Sequence, residues 1–152
     1  KMKAVLQRVH RAEVSAGGQV VGRCGAGLMI AVGIAVDDTD ADVRTLVDKI
    51  CKLRIFRDDA GKLNLSVRDI DGEALVISNF TLQANCRRGT RPDYSHAAPR
   101  ETAEPLYEMF IDEMNSRGVP TQHGAFGERM TIDMLADGPV IITLDSHELP
   151  RK

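Results

Sequence analysis

Leu28-Met29-Ile30-Ala31-Val32-Gly33-Ile34-Ala35-Val36 is the stretch whose conformation decides the fold. It contains no polar side chain, so it cannot be a strand with one wet face, which would alternate. Periodicity does not separate helix from strand in such a run. The β-branched Ile30, Val32, Ile34 and Val36 and the bounding Gly25 and Gly27 favour a strand buried on both faces. Gly33 within it marks a bulge or a close approach of another segment.

Working outward, the sequence predicts strands over residues 4–9, 12–16 and 19–23, with Gly17-Gly18 supplying the positive φ of a tight hairpin. An antiparallel meander follows. Thr39 offers a helix N-cap, with Asp40 and Asp42 at the positive end of the helix dipole and Val43, Leu46, Val47, Ile50 and Leu53 at helical spacing. Turns at 58–61 and 71–72 bracket a short strand over 63–67 and lead into a strand over 73–78. Residues 83–99 read as a loop. A second helix carries Leu106, Tyr107, Phe110 and Met114 on one face and ends at Gly118. Pro105 leaves two starts open: a cap at Thr102, or an earlier first turn with a kink. The tail reads as a strand over 130–135, a turn, and a last strand opened by Pro139. The fold class is α+β, mostly β.

The 152 residues, 43% hydrophobic, make one domain over 1–152 that buries about 68–70% of its unfolded surface. A net charge of −2 and a pI of about 6.1 argue against a general nucleic-acid coat and against DNA as a partner. A local basic patch can still meet RNA. Cys24, Cys51 and Cys86 form no Cys-x-x-Cys pair, so neither a disulfide framework nor a zinc knuckle is expected, and no cofactor or metal. With no leader and no membrane-length apolar run, a cytoplasmic protein without membrane contact is expected.

Chemistry is concentrated in Ser78-Asn79-Phe80-Thr81-Leu82, directly after the apolar run Ala74-Leu75-Val76-Ile77. A strand delivering hydroxyls, an amide and main-chain N–H groups to one edge has the parts of an oxyanion site; a strand continuing with polar alternation is the plain alternative. Gly138-Pro139 is the second motif. Together with Met2 to Val9 and Arg88-Gly89-Thr90-Arg91-Pro92, these stretches resemble the D-aminoacyl-tRNA deacylases over nearly the whole chain. The family signatures read Ser-Gln-Phe-Thr-Leu and Gly-Pro-Val-Thr. Asn79 and Ile141 therefore depart from them.

The resemblance implies a homodimeric, barrel-like hydrolase with two main helices, acting in translation quality control on the ester of D-aminoacyl-tRNA. Its Gly138-Pro139 pair would be cis and would enter the partner subunit's site, where it leaves no room for an L side chain; glycyl-tRNA would pass the same filter. Ser78, Phe80 and Thr81 fall at the catalytic positions, with N–H groups around Phe80 and Thr81 holding the oxyanion and the tRNA's own ribose hydroxyl assisting hydrolysis. Thr81 as nucleophile ranks second, because no histidine adjoins it in sequence. Phe80 would pack its ring while turning its N–H to the substrate. Asn79 shapes the pocket, one methylene shorter than glutamine.

Arg8 shares a strand face with Ala4 and Leu6, where a charge needs a partner; a salt bridge is the ordinary reading, and bracing of Gly138-Pro139 the one the resemblance implies. Arg87, Arg88 and Arg91 are either a solvated surface or contacts to the tRNA backbone. Two rival functions stay open: a catalytically silent RNA-binding homodimer, and a threonine-dependent esterase of small molecules.

Overall fold

The computed structural model describes residues 1–151. Its strands are β1 (Lys3–Ala16), β2 (Gln19–Cys24), β3 (Gly27–Gly33), β4 (Phe56–Arg57), β5 (Leu63–Leu65), β6 (Glu73–Ser78), β7 (Thr121–His123) and β8 (Thr131–Asp145); its helices are α1 (Asp40–Lys52) and α2 (Arg100–Ser116).

The long β1 is the spine. On one edge it pairs antiparallel with β2 and then β3, which keep a common register: Ala12 lies opposite Cys24 and Val9 opposite Gly27. On its other edge runs β8, antiparallel from Lys3–Asp145 to Ser15–Thr131. Beyond β3 the sheet continues with parallel β6 and β7. The sheet then curls, bringing β2 against β7: the Arg23 N–H donates to Gln122 Oε1 at 2.9 Å, and a side chain on Gly22 would strike the His123 carbonyl. The result is a nearly closed, barrel-like sheet.

Strand alternation supplies two cores from one sheet. Leu6, Leu28, Ile30, Val32, Ala74 and Val76 point to a layer formed by α1 and α2, where they meet Leu46, Ile50, Phe110 and Met114. Val9, Val14, Met29, Leu75 and Ile77 point into the curl, against Met130 and Met134. This is why β3 and β6 carry no polar alternation. Each fully buried large side chain contributes roughly 1.5–3 kcal/mol.

Helix α1 starts as its sequence predicts, with the Thr39 N–H donating to Asp42 Oδ2 at 2.8 Å. The start of α2 is the earlier of the two open choices, at Arg100 behind Pro99. Pro105 is accommodated in its second turn because it lies on the exposed face, where water can reach the unpaired Glu101 carbonyl. Gly118, at φ 90°, ends the helix, and the Val119 N–H returns to the Met114 carbonyl at 3.1 Å.

Two expectations for the strands are corrected. The strands expected at 4–9 and 12–16 are one, because β8 pairs along the whole length and absorbs the irregularity as register shifts between Gln7 and Arg11. Pro139 does not open the last strand but lies inside β8, in a segment that leaves the ladder and so needs no N–H. The short β4 and β7 went unread, being too brief to show a period. No helix among the described residues is long and apolar enough to cross a membrane.

Candidate active site

The chain leaves β6 at Ser78 and turns. The Asn79 N–H makes a last rung to the Val32 carbonyl at 2.8 Å, and the Leu82 N–H then closes on the Asn79 carbonyl at 3.3 Å. Phe80–Gln83 is a single 3-10 turn rather than further strand. Gly33 is the close approach: a Cβ there would lie 2.7 Å from Leu82 Cβ and 3.0 Å from the Asn79 carbonyl oxygen. Only glycine lets the turn seat on β3. Gln83, buried, locks it from behind by donating Nε2 to the carbonyls of Gly33 and Lys1, each at 2.9 Å.

Against this turn lies a cleft of about 320 Å³ lined by Ser78, Asn79 and Phe80 from the turn, Ala98 just before α2 with Arg100 and Ala103 from its start, and Phe126, Gly127, Glu128 and Met130 from the β7–β8 connection. That last group was not singled out from the sequence; its signal is an aromatic between Gly124 and Gly127 in a segment without periodicity. Phe126 is held by Tyr107, with ring centroids 5.6 Å apart, and by the Arg100 guanidinium, 5.3 Å above its ring. Arg100 in turn pairs with Glu104 at 3.1 Å. Tyr107 is fixed through its hydroxyl, which donates to the Val76 carbonyl at 2.8 Å; burial pushes its ionisation up to about 12, so it stays a neutral donor.

The Phe80 ring is not packed into the core as expected: it is 57% exposed and meets only the edge of Tyr94 among ring partners, centroids 5.0 Å apart. The turn directs it outward. Phe80's N–H, at the first position of the turn, has no acceptor within it. Thr81's hydroxyl and N–H both donate to Asn79 Oδ1, the N–H at 3.2 Å. An amide oxygen accepts these bonds but cannot take a proton at neutral pH, so nothing bound to Thr81 would make its hydroxyl a nucleophile.

Elsewhere on the surface, β8 breaks its ladder. Gln7 faces Ile141 and Val9 faces Ala136, so Arg8 alone stands opposite the four residues Asp137, Gly138, Pro139 and Val140. The Gly138-Pro139 bond is cis. Arg8, 3% exposed, donates Nε to the Asp137 carbonyl at 3.0 Å and Nη1 to the Ile55 carbonyl at 2.8 Å, and pairs with the Asp137 carboxylate at 3.2 Å. Neither Gly138 nor Pro139 lines the cleft of their own chain. Ile141, beside them, is 55% exposed.

Arg87, Arg88 and Arg91 lie exposed in the 84–99 loop, which is tied at its base by the Asn85–Asp93 bridge. Arg87 also borders a second cavity of about 630 Å³ with Lys3, Cys86, His96 and His147. Asp38, Asp42 and His147 approach one another as metal ligands do. Asp38 is, however, bonded to the Ala35 N–H at 2.6 Å and Asp42 to the Ser146 hydroxyl at 2.7 Å and to Arg151.

A curled, barrel-like sheet backed by two helices, with a cleft against the turn that follows β6, is the class of α+β fold that the chain adopts. Residues 5–145 match the family described as D-Tyr-tRNA(Tyr) deacylase, and the chain belongs to that family. It is 49% identical over 147 residues to a D-aminoacyl-tRNA deacylase of Opitutus terrae, covering 96% of this chain and 98% of that one. A D-aminoacyl-tRNA deacylase of Thermotoga petrophila is 46% identical, covering 97% and 99%. Among solved structures, one described as a c-Myc DNA unwinding element binding protein superposes with a TM-score of 0.89 at 39% identity, covering 94% of this chain and 97% of that one. Another, described as a probable eukaryotic D-amino acid tRNA deacylase, shares the fold with a TM-score of 0.83 at 16% identity, covering 94% and 98%.

Proposed function

We propose that the protein hydrolyses the ester bond of D-aminoacyl-tRNA, releasing free D-amino acid and tRNA. The observation that carries this reading is the Ser78–Phe80 wall of the cleft, formed by a turn whose first N–H, that of Phe80, has no acceptor within it, next to a Thr81 whose hydroxyl and N–H are both bonded to the Asn79 amide oxygen. Donors in such a site stabilise the oxyanion, each worth about 2.7–4 kcal/mol in the transition state. The terminal ribose hydroxyl of the tRNA then serves as the internal catalyst in place of an enzyme base. Membership of the deacylase family over residues 5–145 supports the substrate class.

In this reading a second copy of the chain completes the site. Its Gly138-Pro139 element, standing out of the β8 ladder, closes the direction an L side chain would take, while glycine and D residues fit. The apolar Ile132, Leu135 and Ile141, each at least 41% exposed on β8, are the surface such a dimer would cover. Arg87, Arg88 and Arg91 would meet tRNA phosphates. Incubation with D-tyrosyl-tRNA and L-tyrosyl-tRNA, alongside sizing in solution, tests the proposal. Release from the D form alone by a dimer supports it. Binding without release would favour a silent RNA-binding protein, and cleavage of simple esters without tRNA a small-molecule esterase.

A further inference from the structure

Asn79 stands between Thr81 and the cleft. Its Oδ1 accepts from the N–H and the hydroxyl of Thr81, and Asn79, not Thr81, is among the residues lining the cleft. The ring this closes is an Asx-type turn, in which a short side chain takes the main-chain N–H two residues on. Glutamine, with one more methylene, does not close it in the same way. The acceptor held there is a carbonyl oxygen on a planar carbon, bonded by two converging donors. A carbonyl of an ester substrate, and the oxyanion it becomes, would ask for the same two donors.

We propose that the Asn79 carboxamide occupies the oxyanion position of the substrate-free protein, and that the ester carbonyl of the substrate must displace it. The inference rests on the deacylase reading for the identity of the displacing group, but not for the cap itself. Exchange involves no covalent step: two hydrogen bonds to an amide oxygen are replaced by two to the substrate oxygen, and the Asn79 side chain rotates away to water. The substrate therefore gains less from Thr81 than the geometry of free donors would offer, and part of its binding is spent in competition. Asn79 in this view is a positioning residue that keeps the Thr81 donors aligned while making them available only to an acceptor that competes well.

The test uses the full-length protein, its Asn79→Gln and Asn79→Ala variants, and a non-hydrolysable D-tyrosyl-adenosine linked through an amide. Freed of competition, both variants should bind the analogue about fivefold more tightly, the equivalent of one ordinary hydrogen bond, with KM for D-tyrosyl-tRNA lowered in step. The Thr81 amide resonance should shift and exchange faster with solvent in both substrate-free variants. Weaker or unchanged analogue binding by Asn79→Gln, with its melting temperature near the parent's, overturns the proposal, and so does an unmoved Thr81 amide. If the parent protein releases nothing from D-tyrosyl-tRNA, the deacylase reading fails by itself, while the amide exchange still decides whether Asn79 caps Thr81.

Discussion

Arg8 holds Asp137 twice, through the main-chain carbonyl at 3.0 Å and through the carboxylate at 3.2 Å. The guanidinium is buried among strand residues, and its third bond, to the Ile55 carbonyl, anchors it to the body of the protein. It thereby fixes the residue that immediately precedes Gly138-Pro139. Replacing Arg8 by alanine leaves the Asp137 and Ile55 carbonyls without their donor and a cavity where the buried side chain lay, while the half-exposed Asp137 carboxylate turns to water, and should cost about 2–4 kcal/mol in urea unfolding. Lysine, lacking the planar fork, should restore only part of it. If the element excludes L substrates, both variants should also narrow the ratio of D- to L-tyrosyl-tRNA cleavage.

Thr81 offers a separate test of mechanism. Alanine keeps the main-chain N–H and removes only the hydroxyl, one of two oxyanion donors, so single-turnover cleavage of D-tyrosyl-tRNA should fall by about 10²–10³-fold but persist, with no acyl-enzyme formed. Complete loss, or an acyl group trapped on Thr81 by rapid quench and mass spectrometry, would restore the nucleophile.

Gly33 should show that the turn is seated from behind. Alanine there places Cβ 2.7 Å from Leu82 Cβ, and overpacking of this kind costs about 1–3 kcal/mol. The fold should survive, with unchanged far-UV dichroism, while kcat falls at least tenfold as the Asn79–Leu82 turn lifts off β3.

Charge on the loop is read by salt. Removing Arg87, Arg88 and Arg91 together should weaken tRNA binding and flatten the dependence of log K on log salt by about 0.7–0.9 for each phosphate no longer neutralised. An unchanged slope would make these arginines ordinary solvated surface.

Acid should find Asp42. Burial pushes its carboxyl up, but the Ser146 hydroxyl, the Thr39 N–H and Arg151 outweigh it and hold the group down at about 2, against an ordinary 3.8. A depressed carboxyl stabilises the fold above its unfolded value and loses that contribution as pH falls through the folded one. Roughly 2 kcal/mol should therefore disappear between about pH 4 and pH 2. The Asp42→Asn variant should be less stable by a similar amount at pH 7 and converge with the parent near pH 2, as measured by urea titration at each pH.

Much of the architecture was legible in local chemistry. Apolar runs without alternation marked β3 and β6, Gly17-Gly18 marked the hairpin, and Thr39 with two acidic residues marked the head of α1, because each signal acts within a few residues. Ser78 to Leu82 drew notice through its residue types and through the family they resemble. What only the tertiary structure decided were relations between distant segments. Gly33 is required because Leu82 lies on it, and β1 is one strand because β8 runs its full length. Phe126 and Met130 belong to the cleft because the β7–β8 connection folds back over β6. Only the family resemblance joined Arg8 to Gly138-Pro139, since nothing in their own spacing does; the ladder that places one opposite the other exists only once the ends of the chain have paired. Thr81 looked like an actor in its own right until folding turned both of its donors toward the Asn79 oxygen. The reason is physical: propensity and periodicity are properties of neighbours in the chain, whereas a site is made by contacts whose partners only packing selects.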